Sequence, residues 1–381
     1  MRECGSTTKT VRLVKIAQVS PLFESVPPKL YGGTERIVSY LTEELVRQGH
    51  ELTLFASGDS ITAAELVPGC VRALRLNPAI QDHLPYHIMM LEQVRQRSDE
   101  FDVIHFHIDL LQYPLMSALS GRALTTLHGR LDLPDLAGFY LTFPDYPLVT
   151  ISNSQQAQLP QLARVDTVYH GLPRDLLPFH PTGGDYLAFL GRISPEKGPD
   201  AAIQIALKAG MPLKIAAKID KSDQLYWESV IRPLVEANPS VEFVGEINER
   251  AKAEFLGNAA ALLFPIDWPE PFGIVMIEAM SCGTPTIAYP CGSVSEVIDE
   301  GQSGFLVNDV EEAATAAERA KGLSRAGVRA CFERRFTVER MAKDYLAIYR
   351  GLPGVSAKRP QRFHLIGEPA TLQIARGQYS S

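Results

Sequence analysis

The feature that most constrains this chain is a rhythm. Short, β-branched, apolar runs alternate with helix-length amphipathic segments, and the alternation starts again after a proline-rich break. Strands buried on both faces and separated by helices pack as parallel sheets in βαβ units. In the first half the runs fall at 11–19, 52–56, 103–106, 123–127, 148–151 and 167–169. Thr34 is the expected N-cap of a helix carrying Ile37, Val38, Leu41, Leu45 and Val46 on its apolar face, closed by Gly49. Segment 75–100 is expected to be helical, and 129–146, punctuated by Pro and Asp, to be loop. The break is GLPRDLLPFHPTGG at 171–184, which reads as an interdomain linker. Beyond it, strands are expected at 186–190, 213–217, 241–244, 260–264, 285–289 and 304–307. Helices are expected at 199–209, 222–237, 249–258, 273–281, 310–320, 324–334 and 337–350. The chain is therefore predicted to be α/β, with two tandem domains that create a cleft between them.

Composition narrows the function. The chain has 381 residues, enough for two cores without a disulfide or metal staple. Acidic residues outnumber basic ones, 44 to 37, which argues against a nucleic-acid binder. The five cysteines (Cys4, Cys70, Cys282, Cys291, Cys331) are odd in number, scattered and without a C-x-x-C pair, so a reducing compartment fits. No apolar run approaches the ~18–20 residues of a membrane span. The first strand region is broken by Arg12 and Lys15, unlike a signal-peptide core. A cytoplasmic location is expected, and nothing indicates a membrane surface or fixes an oligomeric state.

In parallel α/β sheets ligands sit beyond the carboxyl ends of the strands. After the first strand come Gly32 and Gly33, which open a helix. Paired glycines let backbone approach an anion, and they also make an ordinary turn before a helix. After strand 186–190 come Arg192 and Lys197, a fork and a point charge suited to phosphate, or a solvated charged loop. Residues 273–281 are apolar on every side except at Glu278. A helix of that kind is buried, and an ionised carboxylate inside it costs several kcal/mol unless partnered. Folding gives no reason for Glu278; binding hydroxyls does, although an arginine partner would also accommodate it. Glu270, held between Pro269 and Pro271, would face the same cleft or be solvated. The amides of Phe272, Gly273 and Ile274 form a second anion site at a helix start. His105 and His107 alternate on a strand as core histidines do, whereas His128 closes a strand at the cleft. No set of His, Cys or carboxylate residues has metal spacing.

The runs PPKLYGGTERIVSYLTEELVRQGHEL, LGRISPEKG, FVGEINERAKAEFLGNAAALLFP, EPFGIVMIEAMSCGTPTIA and GSVSEVIDEGQSGFLV resemble the family 4 retaining glycosyltransferases of the GT-B fold. The resemblance spans residues 12–350. It implies two Rossmann-like parallel-sheet domains facing each other across a cleft, with 1–172 on the acceptor side and 173–336 holding a nucleotide-sugar donor. A helix at 337–351 would cross back to the first domain, leaving 352–381 as a tail. The family implies that Arg192 and Lys197 bind the donor diphosphate and that Glu278 accepts from the ribose. Glu270 and the amides of Phe272, Gly273 and Ile274 would hold sugar hydroxyls and phosphate. Gly32 and Gly33 would approach the phosphates from the first domain, with Ile247 beside the base and His128 beside the transferred sugar. Many relatives carry an acidic residue after that histidine, where this chain has Gly129. The implied reaction is metal-independent hexosyl transfer with retention, from a donor such as a UDP-sugar, with no cofactor and an unidentified small-molecule, glycan or lipid acceptor. A GT-B phosphorylase, a nucleotide-sugar epimerase and a non-enzymatic sugar-binding protein are the alternatives.

Overall fold

The computed structural model describes residues 13–29, 32–75, 77–119 and 121–356. The start of the first expected strand, the Leu30–Tyr31 pair before the paired glycines and the tail beyond 356 lie outside the described residues.

Seven strands form the first sheet: β1 (Lys15–Val19), β2 (Glu51–Ser57), β3 (Glu65–Cys70), β4 (Val103–Phe106), β5 (Ala123–Thr126), β6 (Leu148–Thr150) and β7 (Val165–Thr167). All pairings are parallel, in the order β3-β2-β1-β4-β5-β6-β7. Six form the second: β8 (Tyr186–Arg192), β9 (Leu213–Lys218), β10 (Val241–Gly245), β11 (Ala259–Phe264), β12 (Thr286–Ala288) and β13 (Gly304–Leu306). These too are parallel, in the order β10-β9-β8-β11-β12-β13. The inner strands β4 and β11 are buried along their whole length, because helices cover both faces. The strand order reverses between β1 and β4 in one sheet and between β8 and β11 in the other. At such switch points adjoining loops part and leave a crevice. The segments after these four strands therefore build the site.

Four expectations change. Segment 65–70 is an edge strand that the periodicity did not announce, because Pro68 and Gly69 break it; an edge tolerates proline since one side of its ladder is unpaired. Within 129–146, Pro134–Thr142 is helical: Pro134 sits at the helix start, where its fixed φ favours the first turn. Thr34 is not an N-cap. The helix begins at Gly33 with Gly32 in the cap position, and no side chain caps it. Gly32 has φ 155°, and a Cβ there would lie 2.8 Å from that of Pro28. The backbone must pass too tightly at that point for a side-chain cap to be placed. In segment 75–100 only Leu84–Gln96 is α-helical.

The chain crosses between the domains twice, and the crossings touch. Leu172 N–H donates to Phe336 O at 2.9 Å, and Val338 N–H donates to Leu172 O at 2.8 Å. The second crossing leads into helix Val338–Gly351, which packs against helix Gly33–Arg47 of the first domain. Its Met341, Tyr345 and Tyr349 are fully buried in a core that also holds Ile37, Leu41 and Leu45.

Candidate active site

A cavity of about 840 Å³ lies between the carboxyl ends of the two sheets. Its donor-side wall starts where β8 ends. Arg192 pairs with Glu196, and its Nε lies 3.4 Å from an Asp223 carboxylate oxygen. Lys197 pairs with Glu270, and its ammonium sits 4.8 Å above the Trp268 ring. Trp268 Nε1–H donates to the same Glu270 carboxylate at 2.9 Å. Glu270 is therefore held on two sides rather than solvated. Its backbone is pinned as well, since Ser293 N–H donates to Glu270 O at 3.0 Å.

Helix Ile274–Cys282 opens four residues after Glu270. Gly273 precedes it with φ 74°, and a Cβ there would lie 2.7 Å from Met276 Cε and 3.1 Å from the Phe264 ring. Only glycine fits, and the first residues of the helix, Ile274 and Val275, border the cavity. The Phe272 ring itself is core, edge-on to His170 at 4.9 Å. From the first domain, Gly33 faces this helix start: a Cβ on Gly33 would lie 3.6 Å from Ile274 Cδ1. Two helix N-termini thus meet across the cleft, each preceded by a glycine in an unusual conformation. Two positive dipole ends that border one cavity favour an anion there.

Glu278 lies one turn further in, only 4% exposed. Its partner is a lysine and not an arginine: Lys252 Nζ lies 2.6 Å from Glu278 Oε1 and 3.6 Å from Glu249. Glu249 in turn pairs with Arg36 of the first domain. Burial pushes the Lys252 ammonium below its usual range, against the pull of Glu278. Ile247 lines the cavity beside Glu246 and Lys252.

The other wall carries the histidines. His105 lies in β4, His107 follows it, and His128 follows β5. His107 Nδ1 is 2.9 Å from His128 Nε2, and His128 stacks on His170 with centroids 5.4 Å apart. Burial drives the pKa of all four far down, His128 to about 3, so each is neutral at pH 7. Beside Gly129, the Asp109 carboxylate opens onto the cavity. Gly32, Gly33, His128, Arg192, Lys197, Ile247, Glu270, Phe272, Gly273, Ile274 and Glu278 all line this one space. Sequence reasoning did not find Arg36, His107, His170, Lys252 or Trp268 as lining residues. Only Trp268, next to Glu270 in the same proline-rich run, carried a local signal.

Residues 31–190 match the family described as Glycosyltransferase Family 4, and residues 178–326 match Glycosyl transferases group 1. The chain belongs to these glycosyltransferases. The glycogen synthase of Mycobacterium tuberculosis is 25% identical, over 85% of this chain and 93% of its own. An uncharacterized glycosyltransferase of Methanocaldococcus jannaschii is 24% identical, over 77% and 85%. Among solved structures, sucrose-phosphate synthase from Thermosynechococcus elongatus has a TM-score of 0.72 at 18% identity, covering 90% of this chain and 99% of its own. The Anabaena protein HepE, solved with UDP and glucose, has a TM-score of 0.69 at 18% identity, covering 89% and 100%. The glycosyltransferase thus has the GT-B fold. Among its described residues, no helix is long and apolar enough to cross a membrane.

Proposed function

We propose that this glycosyltransferase moves a hexose from a UDP-sugar to an acceptor hydroxyl with retention at the anomeric carbon, using no metal ion and no cofactor. The observation that carries the reading is the pair of helix N-termini meeting across the cleft, with Arg192 and Lys197 on the same wall. As the bond from C1 to the leaving phosphate oxygen breaks, that oxygen takes the electron pair. Two dipole ends and two side-chain cations stabilise the new charge, which is the main catalytic device. The acceptor oxygen forms its bond to C1 on the face the phosphate leaves, and its proton passes to the departing phosphate. Glu278 accepts from the ribose hydroxyls, Ile247 lies by the base, and Glu270 and His128 bracket the transferred sugar. Gly32 and Gly33 bring backbone to the phosphates, and the amides of Phe272, Gly273 and Ile274 complete their cradle. The solved complexes of HepE with UDP and glucose and with UDP-glucose support the choice of nucleotide. We place the two hinges at 172/173 and 336/337. We place the enzyme in a reducing cytoplasm, consistent with free thiols at Cys70, Cys282, Cys291 and Cys331.

Slow hydrolysis of the donor tests this without knowledge of the acceptor. UDP-glucose incubated with the enzyme in excess EDTA should release glucose in the α form first, read by proton NMR before mutarotation. Release of the β form first overturns retention. Activity that only Mg²⁺ or Mn²⁺ restores overturns metal independence, and cleavage of ADP- or GDP-hexose alone overturns the choice of base.

A further inference from the structure

A continuous run of hydrogen bonds joins the last helix to His128. The Tyr349 hydroxyl lies 2.8 Å from His105 Nδ1 and accepts from Gln18 Nε2 at 3.4 Å. Gln18 Oε1 lies 2.7 Å from His107 Nε2, and His107 Nδ1 lies 2.9 Å from His128 Nε2. On the far side of His105, Nε2 lies 2.7 Å from Thr126 Oγ1, which is 3.0 Å from the Tyr345 hydroxyl. Gln18, His105, His107, Thr126, Tyr345 and Tyr349 are all buried.

A neutral imidazole has one N–H and one bare nitrogen. A chain of such groups has a direction, because settling one bond settles the next. The Gln18 amide settles it here. Its nitrogen faces Tyr349, so its oxygen, which can only accept, faces His107. His107 must then donate from Nε2, which leaves Nδ1 bare and able only to accept. His128 must therefore donate from Nε2, and its own Nδ1 is bare. The same direction has Tyr349 donating to His105 Nδ1 and His105 Nε2 donating to Thr126. All three histidines then carry their proton on Nε2, the form a neutral imidazole ordinarily favours. Turning the amide over would reverse every bond and move all three protons to Nδ1 together. His128 lines the cavity, and no described protein group bonds its Nδ1.

We propose that Gln18 and His107 are positioning residues that hold His128 as the Nε2–H tautomer, presenting a bare Nδ1 to a sugar hydroxyl in the cleft. The part played in turnover rests on the reading of His128 given above; the tautomer does not. Long-range ¹H–¹⁵N correlation on histidine-labelled enzyme reads the tautomer directly, with His128→Gln assigning the signal. The expected spectrum shows His128 protonated at Nε2 and bare at Nδ1. A proton on Nδ1, or an average of the two forms, overturns the proposal whether or not the enzyme transfers sugar. Gln18→Met should lower turnover about tenfold, as loss of one neutral hydrogen bond in the transition state would. Its affinity for UDP, held mainly by the other domain and on the near side by Gly32 and Gly33 rather than by Gln18, should stay within about twofold. Gln18→Glu keeps an acceptor oxygen for His107 and should retain the Nε2–H form and most of the turnover. If Gln18→Met does not fold, His107→Asn, which still offers His128 an acceptor, should keep the tautomer and turn over faster than His107→Leu. Unchanged turnover in Gln18→Met, or equal turnover in the two His107 variants, overturns the positioning role. Full turnover in His128→Ala would instead overturn the reading of His128 and leave the tautomer result standing.

Discussion

Replacing Lys252 by methionine removes the counter-charge of a carboxylate that is 4% exposed, inside a helix that is otherwise apolar. Arg36, which lines the same cavity, is engaged by Glu249. Breaking a buried ion pair by deleting one partner costs about 3–5 kcal/mol, because the other charge stays buried and uncompensated. At an m of about 2–3 kcal/mol per molar, the urea midpoint should fall by roughly 1–2.5 M. Replacing both partners by apolar groups of similar volume is near neutral or better. Lys252→Met combined with Glu278→Leu should therefore return to within about 1 kcal/mol of the parent. The discriminating step is a second assay on that double variant. If Glu278 serves the ribose, the restored protein should bind UDP at least ~10-fold more weakly, by the charge-assisted hydrogen bond it has lost. Circular dichroism in urea and calorimetry with UDP give both numbers. A single variant within ~1 kcal/mol of the parent would show that Lys252 does not compensate the carboxylate. A stable double variant that binds UDP like the parent would show that Glu278 is structural.

Arg192→Ala should weaken UDP binding at least ~10-fold and leave uridine binding little changed; equal losses for both ligands would make Arg192 a structural residue. His105, His107, His128 and His170 have folded-state pKa values depressed below the unfolded value of about 6.5, so below that pH the unfolded chain binds more protons. Their contribution to stability is therefore present at pH 7 and lost as the pH falls through about 6.5, so the urea midpoint should be lower at about pH 5.5 than at about pH 7.0; equal urea midpoints at the two pH values would refute this. The chain has two tryptophans, so Trp227→Phe leaves Trp268 as the reporter of the Lys197 ammonium above its ring. Saturating UDP should then change the emission as Lys197 turns to the phosphates, and emission that stays constant while calorimetry records binding would place Lys197 elsewhere.

Legibility in the sequence followed periodicity. Both parallel sheets were readable because strands buried on two faces are written as unbroken apolar runs, β11 as AAALLF and the start of β8 as YLAFL. The edge strand β3 was not, since half-exposed ELVPGC has no such run. Glu278 stood out because a lone carboxylate in an apolar helix violates the rule that surrounds it. Lys252 did not, because on a helix of mixed polarity (ERAKAEFLG) one lysine looks like any surface charge. Its burial is set by a helix twenty-odd residues away. The histidine run was hidden for a related reason. Gln18, His107, His128 and Tyr349 come from four distant segments, and only the parallel registers of β1, β4 and β5 bring the first three side by side.

The touching crossings at Leu172 and Thr337 have a consequence for the order in which the protein is made. The first domain leaves the ribosome first, yet its core is closed by Tyr345 and Tyr349, which supply hydroxyls to Thr126 and His105. Those two tyrosines are translated only after the whole second sheet. At roughly 5–20 residues per second the wait between β7 and Gly351 is on the order of 10–40 s. During it, Gln18 and His105 lack the hydroxyl that Tyr349 provides in the finished chain, and the apolar face of helix Gly33–Arg47 lacks its cover. The domain that begins the chain is therefore completed last. A chain ending at residue 336 should have a first domain open to pulse proteolysis while its second resists; equal resistance of both domains would show that the last helix is not needed to close the first core.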